Sequence, residues 1–248
     1  MYFAPQNSIV RAVWSQRDTT LFVFAGAAAE FALNRAVDWL YFTGRLPADP
    51  LGRLFSTVQY AKRIVFATES DAYKAIDTIT FIHKAIESKR GAVIPDWAYR
   101  DVLFMLIHYS VVSFELLERK MTTGEKDDLY QVFYRMGQRM MLTGLPADYE
   151  SWLPMRDQHL RDNLVRSEYT DDLFRQYRKH LGWFRYWLLR EVQIMSCPKT
   201  VRRLLGLRRF SWARPLLVLY KWSRGTGLDT FAQKLILPAK YKKELDAM

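Results

Sequence analysis

Three side chains in the first third of this chain have types and spacing that suit chemistry: Arg53, Thr57 and His83. Arg53, Thr57, Tyr60 and Ile64 follow one another at intervals of four, three and four, which puts them on one face of a helix. Leu54, Val58, Ala61 and Val65 form an apolar stripe beside them, and a polar row next to a buried stripe can line a pocket. On the following helix Ile76, Ile79, Thr80, His83 and Ile86 recur at helical spacing, so His83 points inward among isoleucines. A neutral imidazole there is either a core histidine bonded to a carbonyl or a ligand for a metal or haem iron. The residues alone favour the core reading.

The helices that must position these side chains carry their own start signals. Asp49-Pro50 is one: the carboxylate can accept from orphan N–H groups, and proline at the first helical position gives up no needed donor. Thr122-Thr-Gly-Glu125 fits a capping box, and Thr170-Asp-Asp leads another helix. Helices are predicted near residues 20–43, 50–67, 71–88, 96–120, 124–143, 147–163, 171–195, 199–206, 213–224 and 228–246, the last interrupted at Pro238. Period-two alternation bounded by turn pairs is absent. The fold class is therefore all-α, a multi-helix bundle around a buried pocket with no sheet. No repeat or linker divides residues 1–248, and one domain is expected.

The remaining reactive residues offer less. His108 has Phe104, Met105, Val111 and Val112 on its helical face, so it is buried and either lines the pocket or serves the core. His159 lies among charges and reads as exposed, and His180 reads as a surface or helix-end residue. No histidine pair has helical zinc spacing, and no nucleophile elbow or phosphate loop in strand–turn–helix context occurs. Cys197 is the only cysteine, which excludes a disulfide framework and suits a reducing compartment. Without a CxxCH motif no haem is attached through thioethers. Cys197-Pro198 reads better as a buried small residue beside a helix-ending proline than as a thiolate ligand.

Several runs, taken in order, resemble one family. FAGAAAEFALNRAV at 24–37, DPLGRLFSTVQY at 49–60, IHKAI at 82–86 and RDVLFMLIHYSVVS at 100–113 are similar to the MpaB-like oxygenases. That family shares its helical haem-binding domain with rubber oxygenase (latex clearing protein). The similarity is strongest over residues 20–152 and fades after LTGLPADYESW. It implies that His83 is the proximal axial ligand of a non-covalent b-type haem. It also implies that Arg53 and Thr57 stand on the distal side or at the haem edge as catalytic and cofactor-binding residues, with His108 lining the pocket. The implied activity is that of an oxygenase or related oxidoreductase, using dioxygen on an apolar, lipid-like or isoprenoid substrate.

Two departures limit what carries over. Ser56 stands where rubber oxygenases have a lysine that can occupy the open iron position, and serine cannot do that. The stretch VDWLYFTGRLPA before Asp49 lacks a histidine that many members carry there. Glu30 and Asp38 are the candidates for the catalytic base of that region. These departures keep open a second reading, a non-catalytic helical haem- or lipid-binding protein at a membrane surface.

Charge and hydropathy set the outer limits. Half of the 248 residues are apolar and 15% are aromatic, enough for a generous core. Residues 175–248 hold 17 Lys and Arg against 4 acids, a net of +13, whereas residues 1–174 hold 20 against 22. Between Lys199 and Trp222, Arg202, Arg203, Arg208, Arg209, Arg214 and Lys221 alternate with leucines, Phe210 and Trp212. That mixture suits a solvated basic face or peripheral contact with an anionic membrane. No recognition motif accompanies it, so nucleic acid is not expected. The most apolar run, Leu21 to Leu33, contains Glu30 and is shorter than the roughly 20 residues that span a bilayer. It has no basic lead-in of the signal-peptide kind. A cytoplasmic protein, at most peripheral to the membrane, is the expectation.

Overall fold

The computed structural model describes residues 1–44 and 48–223, the side chain of Leu54 excepted. Among them the regular elements are α1 (Ile9–Ser15), α2 (Arg17–Phe31), α3 (Val37–Phe42), α4 (Pro50–Val65), α5 (Glu69–Arg90) and α6 (Asp96–Leu117). They continue with α7 (Thr123–Arg139), α8 (Tyr149–Asp162), α9 (Glu168–Ser196), α10 (Lys199–Leu204) and α11 (Arg214–Ser223). Two isolated bridges, Tyr2 with Thr68 and Asn34 with Leu164, are the β-type pairing among these residues. The all-α expectation holds. The helix read over 228–246 lies outside the described residues.

The start signals act as their chemistry requires. Asp49 accepts from the Gly52 N–H at 3.1 Å, with Pro50 opening α4. At α7, Thr122 and Glu125 satisfy one another's backbone donors in a capping box. Asp49→Ala removes one such acceptor and is expected to lower stability by about 1 kcal/mol, read from the midpoint of urea unfolding.

Three elements depart from the sequence reading, each for a local reason. The short α1 was not expected; the Ser8 hydroxyl caps it by accepting from the Arg11 N–H, and extended backbone at Gln16 ends it. The helix expected over 20–43 breaks between Phe31 and Val37 around Asn34. There the Asn34 side-chain carbonyl accepts from the Ala36 N–H at 2.8 Å, and its amide donates to Asp101 at 2.6 Å. These bonds compete with the helical ladder and win. Finally, α9 begins at Glu168 rather than 171, because Ser167 and Thr170 form its cap, and it bends at Gly182, where φ is +73°.

Packing centres on α2 against α6. A Cβ on Gly26 would lie 2.2 Å from the Tyr109 ring, so glycine there lets the two helices approach closely. The fully buried Trp14, Trp152, Tyr109, Tyr130 and Phe104 fill the bundle around that contact.

Inside this core lie two polar clusters. Glu30 takes a bidentate pair from Arg156 at 2.6 and 2.5 Å and accepts from the Tyr109 hydroxyl at 2.9 Å. Asp101 accepts from Asn34, Asn163 and a ring nitrogen of His159. His159 is therefore not an exposed residue; its side chain keeps only 11% of its surface. Asp157, Arg161 and Asp162 beside it in the sequence face outward, while the histidine, like Arg156, turns in to a buried carboxylate. No described helix is long and apolar enough to cross a membrane.

Candidate functional site

Residues of α2 to α7, with Tyr177 of α9, line a partly open cavity of about 290 Å³. That sits at the lower edge of the roughly 300–1,000 Å³ typical of small-molecule sites. Arg53, Ser56, Thr57 and Tyr60 face it from α4, and Ile79, Ile82, His83 and Ile86 from α5. The structure thus gathers Arg53, Thr57 and His83 on one wall system. Ile64, placed with the polar row by spacing, belongs to the core at 2% exposure. Ala27 and Ala28 line the cavity from α2, so the alanine-rich run serves both helix packing and the cavity.

His83 is held neutral. Burial pushes its pKa down to about 4, and the positive charge of Arg53, which lines the same cavity, adds to this, while Glu87 one turn away opposes it. Its Nδ1 is buried without a hydrogen-bond partner among the described residues. A Tyr99 ring stands edge-on to it at 5.1 Å. Glu87 is occupied otherwise, accepting from the Ile94 N–H at 2.9 Å and the Tyr99 hydroxyl at 3.2 Å. An uncharged imidazole with an unpaired nitrogen at an apolar wall is what a haem iron would need from this chain, so the residues fit that group.

The α4 hydroxyls turn to their own helix. Thr57 donates to the Arg53 carbonyl at 3.1 Å and Ser56 to the same oxygen at 2.8 Å. Each hydroxyl oxygen keeps acceptor capacity, and both side chains are far shorter than the lysine that Ser56 replaces.

His108 is not among the residues lining this cavity. It lies behind it, partly buried, its pKa pushed down to about 3 by desolvation and then by nearby Arg156, with Nε2 buried and unpaired among the described residues. Glu30 also lies outside the lining, and its two oxygens are committed to Arg156 and Tyr109. Asp38 pairs with Arg90 at 2.7 Å, next to Trp39, which does line the cavity and carries the Arg90 guanidinium 4.1 Å above its ring. Cys197 caps α9 in the core, 3.6 Å from the Tyr109 hydroxyl, and burial raises its thiol to about 12. It remains a protonated thiol there, as the sequence reading favoured.

Sequence reasoning missed Tyr99, Trp39 and the methionines Met105, Met136 and Met140 of the wall. The four-residue spacing of Met136 and Met140 was a visible signal of a shared face; Tyr99 and Trp39 had none beyond aromaticity.

The two depressed histidines give a pH expectation. In the unfolded chain both protonate near 6.5, whereas in the fold they resist until about 4 and about 3. Below pH 6.5 the unfolded state binds protons the native state refuses, so their stability cost is absent above 6.5 and grows as pH falls, toward about 4 for His83 and about 3 for His108. Urea midpoints should decline across that window, and His108→Gln should flatten the decline; an unchanged slope would contradict the assignment.

A sequence model of the family described as ER-bound oxygenase mpaB/B'/Rubber oxygenase, catalytic domain, matches residues 12–226. The match extends well past the stretch over which the resemblance is strongest by eye. No curated protein matches the chain.

Proposed function

The chain belongs to the mpaB/rubber oxygenase catalytic-domain family, and on that premise we propose that it is a haem-dependent oxygenase. Its substrate would be apolar, lipid-like or isoprenoid, and dioxygen its co-substrate. The observation that carries this reading is the neutral imidazole of His83, its Nδ1 buried and without a partner among the described residues, in the wall of an apolar cavity that Arg53 also lines. A bound b-type haem supplies the dioxygen chemistry that no protein side chain can perform.

The side chains have separable tasks. His83 would hold the iron through its ring. Arg53 would present a fixed positive charge to negative charge developing in the cavity, where low dielectric makes it effective. Thr57 would offer its hydroxyl oxygen as an acceptor. Isoleucines of α5 and the methionines would exclude water and receive the apolar substrate. Peripheral contact with an anionic membrane belongs to the same proposal, because such a substrate partitions into lipid.

Arg53→Ala tests the polar side of the cavity. It is expected to shift the haem spectrum and depress dioxygen consumption, while stability changes by no more than about 1 kcal/mol. Unfolding with an unaltered spectrum would mark Arg53 as a structural pairing. The second reading, a haem or lipid carrier, is favoured by one observation: Ser56 is tied to its own backbone and supplies no internal ligand. Under that reading haem binds, yet no dioxygen is consumed with any apolar substrate.

A further inference from the structure

Just beyond Gly182, the turn of α9 that carries Trp183 and Phe184 is exposed. Trp183 meets Phe184 at 5.8 Å between ring centroids, and Phe184 stacks on Trp187 at 6.2 Å. Trp187 shares a shallow hollow with Leu207 and Arg208. The Arg208 guanidinium in turn lies 5.6 Å from the centre of the Trp212 ring. Arg208 thus links the rings of α9 to Trp212 in the loop that follows α10.

Glu191 fixes that loop, accepting from Arg208, from the Ser211 hydroxyl at 2.7 Å and from the Ala213 N–H at 3.3 Å. Next in the chain, α11 is pinned to the body on one side, where Tyr220 donates to Asp18 at 2.8 Å and Lys221 to the Leu116 carbonyl at 3.2 Å. Its other side turns Leu219 and Trp222 to solvent.

The exposure is large. Trp183 and Phe210 are 77% exposed, Trp212 73% and Trp222 82%. Contiguous apolar surface of this kind is uncommon unless something covers it. Residues 183–223 carry nine Lys and Arg against one acid, Glu191, which is buried and already engaged. A second copy of this chain could not cover the face favourably, since a symmetric contact would set cations against cations. Tryptophans settle at the headgroup level of a bilayer, and arginines pair with its anionic lipids.

We propose that this face, from Trp183 through α11, docks the protein onto an anionic bilayer. The inference deepens the membrane contact named above and is independent of whether haem is bound.

The full chain is sedimented with phosphatidylcholine vesicles and with vesicles in which phosphatidylserine replaces part of that lipid. Binding is expected only to the anionic vesicles, falling as salt is raised. Arg209→Gln with Arg214→Gln, both exposed, should weaken it roughly 30-fold at low salt. Trp212→Ser with Trp222→Ser should weaken it by a factor that salt does not change, because the lost contribution is apolar. Equal binding to both vesicle types, binding to neither, or wild-type binding by both double variants would overturn the proposal. So would a dimer in solution that the tryptophan variant dissociates. The haem absorption of both variants should match wild type, which separates a failure here from a failure of the oxygenase reading.

Discussion

Replacing His83 by glycine is expected to strip the protein of haem while leaving it folded, and free imidazole is expected to restore the bound spectrum. The expectation rests on where the ring sits. His83 lines the cavity, its Nδ1 has no partner among the described residues, and no structural hydrogen bond is lost with it. Removing it opens space beside the cavity that a small imidazole can enter, supplying the same donor without the tether. The fold should survive, because α5 keeps its Thr68 cap and its glycine C-terminus at Gly91. Glycine in a helix interior costs about 1 kcal/mol, a tolerable loss for a chain of this size. Retained haem in His83→Gly would move the axial ligand elsewhere. Haem loss that imidazole cannot repair would make His83 a packing residue.

The second large effect belongs to the core. Glu30→Ala leaves the Arg156 guanidinium charged and unpaired, in a place where its side chain keeps 4% of its surface. Breaking a buried pair from one side costs about 3–5 kcal/mol, because the surviving charge has no solvent to turn to. The Tyr109 hydroxyl loses its acceptor as well. Replacing both partners by leucine should recover most of the loss, since no orphaned charge remains. Urea unfolding of the two variants measures this directly. A loss below about 1 kcal/mol in Glu30→Ala would mean that water reaches Arg156.

That buried pair also shows where sequence reading reached and where it stopped. The all-α class, the Asp49 start of α4 and the capping box of α7 follow from local chemistry, and local chemistry is written in neighbouring residues. The shared cavity face of Arg53, Thr57 and His83 followed from helical spacing plus family resemblance, although spacing misassigned Ile64. What failed depends on partners far away in the chain. The pairing of Glu30, read only as a candidate base, was not legible because Arg156 lies 126 residues on. His159 looked exposed because Asp101 lies 58 residues before it. The break at Asn34 is set by the same Asp101. His108 was read as buried and is so in part, its Nε2 shielded, but helical periodicity cannot say which neighbour an inward face meets.

Optical titration of the purified full chain with haem tests the central claim most directly. Saturable binding at one haem per chain, with the Soret band of a histidine-ligated iron, is the expected result. Linear uptake without saturation, or a spectrum indistinguishable from free haem, would contradict the assignment of this cavity to a haem held by His83.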